Sequence, residues 1–187
     1  MNRIILGLAV AIGIAALSFS TALVNKTVDV SQSNVVWKAY KVTGAHEGTI
    51  KLKSGSLQLQ DGKLTGGSFV VNMNTITCTD LTGGTADKLV GHLKSPDFFD
   101  VAKFGEATFN ISGVKYTTAE KATLTGSVTI KGITKNISFE AIIRSADEKG
   151  FFAEAFFPID RTLFGINYGV GAIDTQVQLA VHIYATK

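Results

Sequence analysis

The side chains of this sequence that are best suited to catalysis or ligand binding are two histidines, one cysteine and an adjacent Asp-Arg pair: His46, His92, Cys78, Asp160 and Arg161. His46-Glu47 lacks the second histidine four residues later that a zinc-protease helix carries. Nothing near Cys78 in sequence would lower the pKa of its thiol. Two histidines, one cysteine and scattered acids do not form a recognisable ligand set. We therefore expect no metal site, and both histidines should form hydrogen bonds near a cavity.

Arg161 has two interpretations. Its guanidinium can donate a forked pair of hydrogen bonds to an oxygen-rich head group. Alternatively, it pairs with Asp160 or Asp97 and locks one end of the fold, the role that we favour. The sequence has no nucleophile elbow, phosphate loop or dinucleotide fingerprint, so an enzyme is the least favoured function.

The segment from Gly91 to Val101 stands apart from its surroundings because it does not alternate apolar and polar residues. It contains His92, two aspartates and the adjacent pair Phe98-Phe99. A sheet protein does not need such a segment to fold, so it is predicted to be a lid over something that the sheet encloses. Because adjacent residues of a strand face opposite ways, we expect one phenylalanine to line the enclosed space and the other to close an ordinary core.

The elements that must position these residues are eight or nine short antiparallel strands, since apolar residues recur with period two from Val30 onwards. Val36–Val42 is expected to form the first strand, and Asp61-Gly62 is typical of a hairpin turn. Ser54-Gly55 is predicted to be a second turn. Helical spacing appears only in Ala86–Leu93.

Strands with one apolar face each can form a sandwich or a closed barrel, and eight strands leave a barrel either filled or wide enough for one slim ligand. Large aromatics favour filling, whereas Ala39, Gly126, Ala141 and Ala155 favour space. Strand phase predicts six residues around an apolar channel: Trp37, Leu59, Val71, Val128, Phe139 and Leu179. Phe151, Phe152, Phe156 and Phe157 occupy both phases of one strand, so one pair should form an outer hydrophobic patch or a homodimer contact.

Bulk properties restrict the partners and the compartment. Residues 1–22 begin with a positive charge, continue with a short apolar run and end in small residues, which predicts a signal peptide removed on export. The formal net charge of +3 is evenly spread, and no Lys/Arg cluster indicates a nucleic-acid groove or an anionic-lipid patch. One cysteine cannot form an internal disulfide, and Cys78 is expected to be a buried small apolar residue.

Several blocks together resemble the YceI family of bacterial periplasmic proteins. They are Val36-Trp37-Lys38, Val42 to Gly48, Gly91 to Ser95, Asp97 to Val101, Leu124 to Gly126, Ile130 to Lys135, Ile159 to Arg161 and Phe164 to Ile166, in order over nearly all of residues 23–187. Members usually carry Tyr-Pro where this chain has Phe104-Gly105, a difference that changes a turn.

The resemblance implies an all-β, lipocalin-like, eight-stranded antiparallel barrel with an internal apolar channel. It also implies a periplasmic carrier of a polyisoprenoid or another long amphiphile, with no cofactor and no stable membrane insertion after cleavage. The residues expected at the mouth of the channel are His46, His92, Phe98, Phe99 and Arg161. The alternative is a filled barrel that acts as a structural or stress-related interaction module.

Overall fold

The alternation of apolar and polar residues produces nine strands and one helix in a computed structural model, which describes residues 23–147 and 149–186. The predicted signal peptide, residues 1–22, lies outside the described residues. The strands are β1 Leu23–Val28, β2 Asn34–Lys41, β3 Gly44–Gln60, β4 Lys63–Asn72, β5 Glu106–Tyr116, β6 Lys121–Ile130, β7 Ile133–Ala146, β8 Phe151–Asp160 and β9 Ile173–Thr186. Helix α1 spans Gly83–Lys94, and short 3₁₀ turns lie at Met73–Thr75 and Arg161–Phe164.

The sheet closes into the expected barrel. Its strands pair antiparallel in the order β3-β2-β9-β8-β7-β6-β5-β4, and β4 pairs again with β3. β1 shares the position of β2, because both pair with β3 on one side and with β9 on the other. The described part of the chain therefore forms an eight-position barrel, as predicted. Closure removes the unpaired edges that an open sheet would present.

The two ends of the barrel differ in what covers them. At one end, which we call the helix end, α1 lies with the connections 41–44, 131–132 and 161–172. At the other, the hairpin end, short connections occupy residues 61–62, 117–120 and 147–150. The Asp61-Gly62 prediction is confirmed there: both residues have positive φ, 52° and 73°, as a type I′ hairpin requires.

The predicted turn at Ser54-Gly55 is wrong. β3 continues through it to Gln60, and its pairing with β4 shifts by one residue between Leu52 and Ser54. Such a β-bulge bends a strand without reversing it. Gly55 is required at this bend, because a Cβ there would lie 2.8 Å from a methyl group of Val28.

Two further boundaries differ from expectation. The first strand is β1, upstream of the predicted Val36–Val42, which corresponds to β2. The predicted helix Ala86–Leu93 is confirmed but begins earlier, at Gly83, after Thr82. The two glycines at its start have low helix propensity and no apolar side chain, so the first turn shows no helical pattern in the sequence.

Candidate functional site

A cavity of about 240 Å³ lies inside the barrel, and apolar side chains make up almost all of its lining. One water needs roughly 10–15 Å³ on this scale, so the barrel is hollow. Predicted site residues on the cavity wall are Trp37, Val71, Phe98, Phe99, Val128, Phe139, Arg161 and Leu179. The structure contains no ligand, so contact of these residues with one stays a prediction.

Four phenylalanines form a band across one wall of the cavity. The ring centroids are 6.3 Å apart for Phe69 and Phe109, 5.5 Å for Phe109 and Phe139, and 3.9 Å for Phe139 and Phe157. β6 lies between Phe109 on β5 and Phe139 on β7. Gly126 of β6 makes this contact feasible, because a Cβ there would lie 2.6 Å from the Phe109 ring.

The expectation that small residues leave space therefore holds in part. Ala39, Ala141 and Ala155 line the cavity. The space over Gly126 is instead occupied by the Phe109 ring. Sequence alone does not show this difference, because the neighbour that uses the space lies on another strand.

Leu59 is not on the cavity wall. It is 3% exposed and belongs to the packed core that includes Leu57 and Leu64. Its register partners are Val24 and Leu64, next to the Asp61-Gly62 turn. Its inward phase was predicted from the alternation, but Leu59 is buried without reaching the cavity, although Leu57 and Leu64 line it.

His46 lies on the rim and not in the cavity. Its Nδ1 is 2.8 Å from Oδ2 of Asp80, and the Glu47 backbone N–H donates to Oδ1 of the same carboxylate at 2.9 Å. These bonds hold the pKa of Asp80 well below its usual range, and the Glu47 N–H is the largest cause. The residues 76–82 are thereby fastened across the start of β3.

Cys78 belongs to the same group and is half-buried, not buried as predicted. Its Sγ donates to Oδ1 of Asp80 at 3.2 Å. Partial burial, followed by this bond, raises the pKa of the thiol. A raised pKa reduces the thiolate fraction at neutral pH, so the thiol is not activated for nucleophilic attack.

His92 also lies beside the cavity and not in its wall. Its Nε2 is 3.1 Å from Oδ2 of Asp97. Its ring packs edge-on against Phe98 and Tyr168, with centroids 4.9 and 4.6 Å away. Both histidines form hydrogen bonds, as expected, but each orders a loop of the helix end. Tyr168 was missed in the sequence, because it lies in a Gly-rich connection without alternation.

Phe98 and Phe99 both line the cavity. The expectation that one faces each way is wrong, because residues 95–100 form a turn in which strand alternation does not apply. The Phe98 N–H donates to the Ser95 carbonyl and the Phe99 N–H to the Leu93 carbonyl, both at 3.1 Å. The segment after α1 therefore covers the helix end of the cavity with two aromatic rings.

Arg161 locks the β8–β9 connection, as the favoured interpretation predicts, but its partners are not acids. Its guanidinium donates to the backbone carbonyls of Ile166 at 2.7 Å, Asp174 at 2.9 Å and Ile173 at 3.0 Å. The residue is 5% exposed, and burial lowers the pKa of the guanidinium. Asp160 instead accepts from the N–H and hydroxyl of Thr162.

The outer face of β8 carries the predicted aromatic pair. Phe152 stacks on Tyr184 with centroids 4.3 Å apart, and Phe156 is 63% exposed. Phe151 and Phe157 face inward and line the cavity. His182, on the same outer face, donates from Nδ1 to the Asn34 amide oxygen at 2.9 Å, so it is hydrogen-bonded as well as partly exposed.

Residues 23–147 and 149–186 show neither a metal-binding cluster nor a membrane-spanning helix. No group of three or more His, Cys, Asp or Glu side chains in this part is placed to hold a metal ion. No helix in the same residues is long and apolar enough to cross a bilayer.

The sequence is similar to several bacterial proteins. It is 29% identical over 143 residues to Protein YceI of Escherichia coli O157:H7, covering 73% of this chain and 71% of that protein. It is 35% identical over 101 residues to a UPF0312 protein of Pseudomonas putida (strain W619), covering 51% of this chain. That alignment spans about half of the Pseudomonas protein, 52%.

Solved structures share the fold. BcnA of Burkholderia cenocepacia superposes with a TM-score of 0.73 at 19% identity, covering 85% of this chain and 99% of BcnA. A polyisoprenoid binding domain from Saccharophagus degradans superposes with a TM-score of 0.64 at 13% identity, covering 86% of this chain and 97% of that domain.

The family model for the YceI-like domain matches residues 27–185, which include every strand of the barrel in whole or in part. This match covers well over half of the chain and agrees with the hollow eight-position barrel. The chain therefore belongs to the YceI-like family.

Proposed function

We propose that this protein is a periplasmic carrier that holds a long-chain amphiphile, such as a polyisoprenoid, in the cavity of its barrel. The observation that carries the proposal is the cavity itself, about 240 Å³ in volume and lined almost wholly by apolar side chains. The Saccharophagus neighbour, described as a polyisoprenoid binding domain, supports this ligand class. Periplasmic location rests on the family and on the apolar run in residues 1–22.

An apolar tail is the part of such a ligand that the cavity fits. Each CH2 removed from water stabilises the complex by about 0.8 kcal/mol. An empty apolar cavity also lacks the dispersion contacts that a chain threaded through it would restore. The band of four phenylalanines gives the tail a continuous surface without polar atoms.

The head group of the ligand would lie at the helix end, where the polar atoms next to the cavity are found. Arg161 has five N–H donors, three of which donate to backbone carbonyls. The remaining donors can bind a head-group oxygen while the guanidinium keeps its structural role. His46 and His92 would act indirectly, by ordering the loops on either side.

The alternative, a filled barrel without a dedicated ligand, conflicts with the size of the cavity. Catalysis has no support in the site, since the wall offers Thr108 and Glu154 but no carboxylate pair, and the thiol of Cys78 has a raised pKa. We therefore infer binding without chemical conversion.

Native mass spectrometry of the protein purified from the periplasm, followed by organic extraction, tests this function. The expected result is one long-chain amphiphile per protein. Val128→Trp should narrow the channel and release the ligand while costing about 1–3 kcal/mol of stability from overpacking. Thr125→Trp, on the exposed outer phase of β6, is the matched control. A folded Val128→Trp protein that retains the ligand like the control would contradict passage of the chain past Val128, and a wild type without any lipid would contradict the carrier.

A further inference from the structure

Exposed apolar side chains concentrate at the helix end of the barrel. Val42 is 83% exposed, Val170 56% and Leu163 51%. With others of the same end they form a set that we call the apolar rim: Tyr40, Val42, Ile133, Leu163, Tyr168 and Val170. The connections at the hairpin end carry none of the exposed large apolar side chains of the described residues. The remaining ones are Phe156 on the outer wall, Val30 just after β1, and Leu23 and Val24 at the start of β1, which pair with Gln60 and Leu59 near the hairpin end.

The connections that carry the apolar rim are joined to one another and to the cavity. The Val42 N–H donates to the Ala172 carbonyl at 3.0 Å, which ties the 41–44 connection to the 161–172 connection. Gly165 lies close enough to Ile133 that a Cβ there would be 3.4 Å from its side chain. The Tyr168 ring is 5.3 Å from that of Phe98, a residue of the cavity wall. The apolar rim is therefore continuous with the lining of the cavity.

Positive charge accompanies the apolar rim. Residues 41–44, 131–135 and 161–172 contain Lys41, Lys131, Lys135 and the buried Arg161 but no Asp or Glu. None of the three lysines forms an ion pair with a carboxylate of the described residues, and Lys131 Nζ donates to the Pro96 carbonyl. Among the acids on flanking elements, Asp97 is paired with His92, Asp160 accepts from the Thr162 N–H, and Asp174 accepts from the Gln176 N–H. The hairpin end carries both signs of charge, since Asp61, Glu120 and Asp147 lie beside Lys63, Lys121 and Lys149.

The three lysines are far apart in sequence, and the antiparallel topology brings their connections to one end of the barrel. A surface that combines exposed apolar side chains with unpaired lysines is complementary to a bilayer with anionic head groups. A protein partner with an acidic surface would fit less well than an anionic bilayer. The exposed apolar side chains lie on separate loops around the cavity and not on one flat face.

We propose that the helix end docks on the surface of an anionic lipid bilayer through the apolar rim and its lysines. This proposal rests on the carrier function, since docking would let the tail pass between bilayer and cavity without crossing water. Transfer through water would expose the whole apolar tail of the ligand to solvent, which is unfavourable. The hairpin end faces away from the membrane in this arrangement.

Vesicle flotation of the exported protein tests the proposal. Wild type should float with vesicles of equal parts phosphatidylcholine and phosphatidylglycerol, less with phosphatidylcholine alone, and less at high salt. The double variant Val42→Asp/Leu163→Asp should bind the anionic vesicles at least about tenfold more weakly, a change of about 1.4 kcal/mol. Phe156→Asp, which removes an equally exposed apolar side chain from the outer wall, should bind like wild type. Circular dichroism and melting curves check that all three proteins are folded.

Ligand retention measured without vesicles separates this proposal from the carrier function. The double variant should keep its lipid in native mass spectrometry, because neither substituted residue lines the cavity. In the presence of vesicles, wild type should transfer lipid at a rate that rises with vesicle concentration, and the double variant should lose this dependence. Lipid-free protein that still floats would overturn the carrier but not the docking. Equal weakening by Phe156→Asp, no flotation of wild type, or a dimer in light scattering that the double variant abolishes would each overturn docking on a bilayer.

Discussion

The ring of Phe139 lies parallel to that of Phe157 inside the barrel, with the planes inclined by 7° and the centroids 3.9 Å apart. Stacked aromatic pairs add about 0.5–1.5 kcal/mol beyond the area that they bury. The pair is positioned from its other side by Phe109, whose ring crosses β6 over Gly126. The cavity wall therefore depends on a residue that has no side chain.

We expect Gly126→Ala to destabilise the fold by about 1–3 kcal/mol, because overpacking forces backbone and rings apart. The added Cβ would lie 2.3 Å from the Asn110 carbonyl oxygen and 2.6 Å from the Phe109 ring. Denaturant unfolding measures the loss, and near-UV circular dichroism should report the displaced rings. Gly113→Ala is the control, since a Cβ there meets nothing within 4 Å. Equal stabilities of the two variants would contradict the prediction.

Arg161→Lys should be strongly destabilising despite keeping the charge. A lysine cannot reproduce the fork that reaches three carbonyls, and each buried carbonyl left unpaired costs about 1–3 kcal/mol. Arg144→Lys provides the comparison, because Arg144 pairs with Glu154 on the surface and such pairs contribute about 0–1 kcal/mol. Thermal unfolding measures the decrease in Tm of each variant relative to wild type. Equal decreases for Arg161→Lys and Arg144→Lys would contradict the prediction.

Lys26→Met should leave stability unchanged or increase it by about 1–3 kcal/mol. Lys26 is 3% exposed on the inward phase of β1, and its Nζ has no hydrogen-bond partner among the described residues. A buried donor without a partner carries its full desolvation penalty, and methionine fills a similar space without one. Lys115→Met, at an exposed position of β5, controls for the loss of one charge. A clear destabilisation specific to Lys26→Met would show that the ammonium has a favourable partner.

Asp80 should contribute to acid sensitivity. Its pKa is lowered in the folded state, so below the ordinary Asp value of about 3.9 the unfolded chain binds a proton that the folded protein does not. Stability from this group is therefore present at neutral pH and is lost as the pH falls below about 4. Asp80→Asn should be less stable than wild type at pH 7 but should lose less stability between pH 4 and pH 2. Asp87→Asn, at an exposed position of α1, should keep the wild-type slope, and a steep slope in Asp80→Asn would contradict this assignment.

The barrel and the inward phase of its strands were predictable because period two persists over most of the chain. Trp37, Val71, Val128, Phe139 and Leu179 line the cavity as their phase indicates. Phase does not report which inward side chains reach the cavity, and Leu59 is buried without lining it although its register partner Leu64 does.

The helix end was harder to predict because its contacts join segments distant in sequence. His46 contacts Asp80 on a loop without alternation. Arg161 donates to backbone carbonyls, and because every residue has one, the sequence does not indicate which carbonyls it will contact. The bend at Ser54-Gly55 has the same composition as a turn, and only the continued pairing with β4 distinguishes it. Local composition therefore predicted the strands well and the connections between them poorly.

The unequal packing of the two ends has a consequence for motion. Inward residues of the hairpin end, such as Leu57, Ala122 and Phe151, are at most 3% exposed, whereas residues 167–172 of the helix end are mostly exposed. Local opening costs least where few apolar contacts are broken. Amide hydrogens near the Asp61-Gly62 turn should therefore exchange with solvent only on global unfolding, and those of residues 167–172 through small fluctuations. Because local opening and global unfolding involve opposite ends of the barrel, the helix end can open to exchange a ligand while the core of the hairpin end stays folded.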